Sequence, residues 1–226
     1  MKSKLDTALG WASFSAVSIS LFLIFMWVPN EKVQGPVSKI IYFHVSSAWL
    51  AFFAFFVVML SGIMYLKTKK LKWDVISCAS AEIGVLFTTI VLVTGPIWGR
   101  ASWNAWWTWD SRLTTTLVLW FIYVAYLMIR SSFAEEEKKA RFSAVFGIIG
   151  FIDVPIVWMS IRWWRTIHPT VVSSGGFAMD PRMVLTLLVS VAAFTLLYFY
   201  LLRKSVAISN LSHETEMLKE QIKTNM

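Results

Sequence analysis

Two histidines and one aromatic segment carry the chemistry available to this chain. His44 sits in Ile41-Tyr-Phe-His44-Val-Ser-Ser-Ala-Trp49, and His168 in Arg162-Trp-Trp-Arg165-Thr-Ile-His168-Pro169. Between them, residues 98–114 hold five tryptophans (Trp98, Trp103, Trp106, Trp107, Trp109), two arginines (Arg100, Arg112) and one acid, Asp110. A tryptophan ring is apolar while its N–H seeks a partner, so one or two mark an ordinary membrane-interface belt. Five in one segment predict a broad flat aromatic surface suited to a large planar ligand. Neutral imidazole is a common axial ligand of haem iron, and two from different helices can take both faces of one ring. Haem also carries two propionates. Arg100, Arg112 and Arg165, with Arg162 beside them, have the forked donors that suit a carboxylate.

Each feature also has a plainer reading. A histidine near a membrane can be a satisfied interfacial side chain, and an arginine there can snorkel to the headgroups. Asp110 can pair with an arginine, accept a tryptophan N–H, or cap the helix that starts near Ser111. The tryptophan segment can be an amphipathic anchor. His213, in the C-terminal tail, has no such company and is left out.

These residues must be held by membrane helices. The chain has 226 residues, 57% of them hydrophobic and only 15% charged, against about 25% charged in soluble domains. A bilayer core takes about 20 apolar residues per helix. Six such runs occur: 7–28, 40–66, 75–96, 113–129, 142–161 and 183–202. The first is too long for a signal peptide and lacks a small-residue cleavage site. Glu82 and Asp153 interrupt the third and fifth runs. Packing polarity, a partner helix or a proton path would account for either equally.

Lysine and arginine set the orientation. Fourteen fall on one side, in the groups Lys2–Lys4, Lys67–Lys72, Arg130–Arg141 and Arg203–Lys223, against seven on the other. The expected protein is therefore an all-α bundle of six transmembrane helices with both termini cytoplasmic. The tryptophan loop, 96–114, and both histidines then face outward. Residues 1–204 form the membrane domain and 205–226 a short cytoplasmic tail. In that tail a helix from about Glu214 to Ile222 would align Leu211, Leu218 and Ile222. The net charge of +8 reflects topology and anionic lipid rather than nucleic acid. Cys78 is alone, so there is no disulfide framework and no C-x-x-C-H site for covalent haem. No nucleotide-binding motif occurs, and the chain is expected to be no enzyme.

At this point a resemblance is visible. Trp98-Gly-x-x-x-Trp103-x-x-Trp106-Trp107-x-Trp109-Asp110-x-Arg112-Leu113-Thr114 resembles the tryptophan-rich WWD signature of the haem-handling proteins of cytochrome c maturation. Phe43-His44-Val45-x-x-Ala48-Trp49 and Asp153-Val-Pro-Ile-Val, followed by Arg162 to Pro169, resemble the segments around that family's two outward histidines. Order, spacing and six-span length are similar to the haem exporter C (CcmC) family. The chain departs from it at Ser46, where proline is more usual. The resemblance implies transient haem b at the outer face of the bacterial inner membrane. It implies His44 and His168 as axial ligands to the iron, with the five tryptophans and Asp110 as the haem-binding surface. It also implies delivery to a membrane-anchored chaperone, CcmE, beside a single-span subunit, CcmD, and ABC transporter subunits, CcmA and CcmB. Alternatives are a CcsA-type cytochrome c synthase subunit, which is usually longer, and a b-type cytochrome subunit, which would commonly offer a second histidine pair.

Overall fold

The structure is a computed structural model that describes residues 4–168, 172–173, 176–177 and 179–224. Lys2, one of the charges used for orientation, and Pro169, beside His168, lie outside the described residues. Among the described residues, six helical segments are long and apolar enough to cross a membrane. They comprise α1 (Lys4–Phe22, prolonged by a π turn, Leu23–Trp27), α2 (Ile40–Thr68), α3 (Leu71–Trp103), α4 (Ser111–Ser131), the pair α5 (Glu136–Gly150) and α6 (Asp153–Trp163), and α7 (Pro181–Thr224). A two-stranded antiparallel ribbon, β1 (Val172–Ser173) and β2 (Gly176–Phe177), lies in the α6–α7 connection.

Helix α2 is the central element, packed on α3, α5 and α7. Its buried face, Leu50, Ala54, Phe55 and Val58, recurs at the three- and four-residue spacing of one helix side. That face meets Phe87 of α3, Leu119 and Tyr123 of α4, Val157 of α6 and Tyr198 of α7. Phe55 stacks on Tyr123 with centroids 3.6 Å apart. Small hydroxyl side chains link the helices where backbones come close, as is usual in membranes. Ser80 donates to the Ala54 carbonyl at 2.7 Å and bonds Tyr198 at 2.8 Å, and Ser20 bonds Ser190 at 2.8 Å.

Three boundaries differ from the sequence reading. The 142–161 run is not one helix: it turns at Phe151–Ile152 and restarts at Asp153. Pro155 lacks an N–H and its ring clashes with the carbonyl four residues back, so the break falls there. The tryptophan loop is shorter than expected, because α3 continues through Pro96 to Trp103. Asn104 ends it in the left-handed conformation (φ 58°), which asparagine tolerates. Arg100 holds that end by donating to the Asn104 carbonyl at 2.8 Å and to its Oδ1 at 2.5 Å. Finally, α7 runs unbroken past Lys204 to Thr224 rather than yielding to a separate short helix.

Candidate functional site

The antiparallel order of the helices brings the starts of α2, α4 and α7 to the same end as the finishes of α3 and α6. At that end lies a cavity of about 460 Å³, within the range of small-molecule sites. Its walls are mostly apolar: Ile40, Val45, Leu92, Leu187 and Val191 contribute, with Trp98, Trp103, Trp106 and Trp107. Both histidines line it. The His44 and His168 ring centroids are 6.5 Å apart, with ring planes inclined by 34°. A metal–imidazole bond is about 2 Å, so two imidazoles sharing one iron from opposite sides have centroids separated by about this distance.

His44 projects from the first turns of α2 and is fixed by α3. Its Nδ1 lies 2.9 Å from Thr94 Oγ1, and Thr94 Oγ1 lies 2.7 Å from the Ile90 carbonyl oxygen. His168 follows a turn in which its backbone N–H donates to Thr166 Oγ1 at 3.0 Å.

Asp110 does two of the things a carboxylate can do here. One oxygen accepts from the Arg112 N–H at 2.9 Å, capping α4. The other accepts from the Ile167 N–H at 3.2 Å, one residue before His168. Asp110 does not line the cavity.

The tryptophans do not form the flat surface expected of them. Trp98 and Trp103 meet edge-to-face at 4.8 Å and 82°, and Trp107 and Trp109 at 5.7 Å and 81°. Edge-to-face contact suits the ring quadrupole better than coplanar rings do. Trp109 points away from the cavity and is 77% exposed. Trp98 is held from outside: its Nε1 donates to Gln34 Oε1 at 3.1 Å. Gln34 belongs to a turn organised by Glu31, whose Oε2 accepts from the Gln34 and Val33 amides at 2.6 and 2.7 Å.

The arginines separate by position. Arg112 lines the cavity, anchored by Nη1 donating to the Val157 and Trp158 carbonyls at 2.7 and 3.3 Å. Arg162 lines it too. Arg100 is occupied by Asn104, and Arg165 borders a smaller pocket with Trp109 and Trp164. Trp107 Nε1 and Thr108 Oγ1 are buried in the cavity wall with no partner among the described residues. A roomy apolar cavity, two facing imidazoles, an anchored cation and orphaned donors together fit a metalloporphyrin with carboxylate arms. Sequence reasoning missed Thr94 and Gln34, since nothing in one sequence shows which loop or helix side a hydroxyl or amide will face.

The family model described as Heme exporter protein C matches residues 1–221. The Heme exporter protein C of Bradyrhizobium diazoefficiens is 36% identical over 172 residues, covering 75% of this chain and 65% of that protein. That of Escherichia coli K12 is 32% identical over 190 residues, covering 82% and 76%. A cytochrome c biosynthesis ccmC-like mitochondrial protein of Marchantia polymorpha is 33% identical over 196 residues, covering 85% and 83%.

Proposed function

This chain belongs to the Heme exporter protein C family, and on that premise we propose that it receives haem b transiently and presents it for transfer. The family implies a role in haem delivery for cytochrome c maturation. His44 and His168 would take the two axial positions of the iron, and Trp98, Trp103, Trp106 and Trp107 would enclose the ring. Arg112 and Arg162 are the cations placed to meet propionates. The observation that carries this reading is the 6.5 Å separation of the two imidazoles across one cavity.

The chemistry is binding and release. Imidazole lone pairs hold iron, the apolar walls exclude water, and the rim allows exit. Trp106 is 61% exposed at that rim, where a receiving protein could reach the ring edge. The charge distribution supports placing this end of the bundle on the outer face of the inner membrane, with residues 1–204 as the membrane unit and 205–226 inside. The expected recipient is a CcmE-type chaperone, and the expected complex includes CcmD and the CcmA–CcmB transporter pair.

Purification from cells with and without haem supply tests the reading. Substoichiometric haem that exchanges with added chaperone is the expected result. Permanent, one-to-one haem that no acceptor removes would instead mark an electron-transfer subunit.

A further inference from the structure

We propose that Thr94 is a positioning residue for His44, accepting a hydrogen bond from its Nδ1–H so that Nε2 is left unprotonated and free to bind iron. The proposal rests on the reading of His44 as an axial ligand.

The placement of two protons decides which imidazole nitrogen can bind a metal. Thr94 Oγ1 is 2.7 Å from the Ile90 carbonyl oxygen and 3.4 Å from that of Val91. A carbonyl oxygen has no proton to give, and two oxygens approach this closely only with a hydrogen between them. The threonine hydrogen is therefore committed along its own helix. Thr94 Oγ1 can then only accept at its third contact, the 2.9 Å approach of His44 Nδ1. A neutral imidazole carries one N–H, so the proton sits on Nδ1 and the lone pair on Nε2.

A metal-bound histidine almost always gives its other N–H to an outer partner, which fixes the ring and raises its basicity. Here that partner is on α3 while the histidine is on α2, so the bond also fixes the imidazole against the helix that leads into the tryptophan segment. Thr94 is not part of the cavity wall; it acts through His44 alone.

The test uses the full chain in detergent, loaded with haem. Thr94→Val keeps the shape and removes the acceptor, while Thr94→Ser keeps the acceptor. Loss of such outer partners typically lowers affinity 10- to 100-fold. Thr94→Val should therefore weaken haem retention about tenfold and shift the ferric low-spin resonance signal, and Thr94→Ser should match the parent. In a His44→Ala background, Thr94→Val should add nothing, because the group it acts on is gone. Equal losses in Val and Ser, or an undiminished Val effect in the His44→Ala background, would mean a structural role and overturn the proposal. A parent-like Thr94→Val signal beside an altered His44→Ala signal would also overturn it, leaving the ligand reading intact. If His44→Ala leaves the signal unchanged, the ligand reading falls first.

Discussion

Asp110 and Ile167 are joined by a 3.2 Å hydrogen bond from backbone N–H to carboxylate. This bond ties the segment bearing His168 to the start of α4, and the same carboxylate caps that helix. Serine caps helices nearly as well as aspartate but has only one oxygen. Asp110→Ser should therefore keep the melting temperature near the parent value while disturbing the spectrum contributed by His168. Asp110→Ala should lower the melting temperature, with a cap loss of about 1 kcal/mol, and disturb the spectrum as well. If the serine variant gives a parent spectrum and parent haem transfer, Asp110 is a helix cap and nothing more.

The edge-to-face pairing of the tryptophans gives them unequal importance. Trp103→Ala and Trp107→Ala should each weaken haem retention, with about 0.5–1.5 kcal/mol from aromatic contact alone. Phenylalanine at either site should be milder. Trp109→Ala should leave retention close to the parent, because that ring lies outside the cavity. Equal losses at Trp107 and Trp109 in a haem titration would show that haem does not bind in this cavity.

At the opposite end of the bundle, Arg130 grips Asp74 through two hydrogen bonds of 2.5 and 2.7 Å. The two side chains are only 10% and 6% exposed. Removing one partner of a buried ion pair costs about 3–5 kcal/mol, since the other charge is stranded. Asp74→Asn should lower thermal stability clearly yet leave the haem spectrum of the folded fraction unchanged. Parent-like melting of that variant would show that the pair is solvated and contributes little.

The Glu31 turn should respond to acid. Amide donation from Gln34 and Val33 holds its carboxyl below the ordinary glutamate value of 4.5. A lowered folded-state value means the carboxylate's contribution is complete above pH 4.5 and is lost as pH falls through the lowered value. Because Gln34 in turn accepts from Trp98, Glu31→Gln should loosen that tryptophan at neutral pH. Parent and variant should converge below the transition. Haem retention followed across this range should show the gap closing; a constant gap would disconnect Glu31 from the cavity.

What could be read without coordinates was set by composition. Long charge-free runs leave few alternatives to spanning helices, so the six spans were legible. The clustering of His44, His168 and the tryptophans at one end also followed, because alternating spans place every second loop on the same side. Local breaks were harder. Pro96 is tolerated near the end of α3 while Pro155 divides α5 from α6, and apolar periodicity alone does not tell these cases apart. Long-range polar partners were invisible: Asp74 reads as an ordinary acid after a lysine cluster until α3 and α4 are laid side by side. The flat tryptophan surface failed because ring orientation depends on packing angles that residue types do not encode.

The central claim is that one iron sits between His44 and His168. The direct measurement is electron paramagnetic resonance of ferric haem bound to the purified parent, His44→Ala and His168→Ala proteins. A low-spin bis-histidine signal in the parent, with loss of that signal and appearance of high-spin iron in each single variant, is the predicted result. Haem binding should be weakened but not wholly lost, since Trp98, Trp103, Trp106, Trp107 and Arg112 line the same cavity and would still hold the ring. An identical signal in all three proteins would contradict the account.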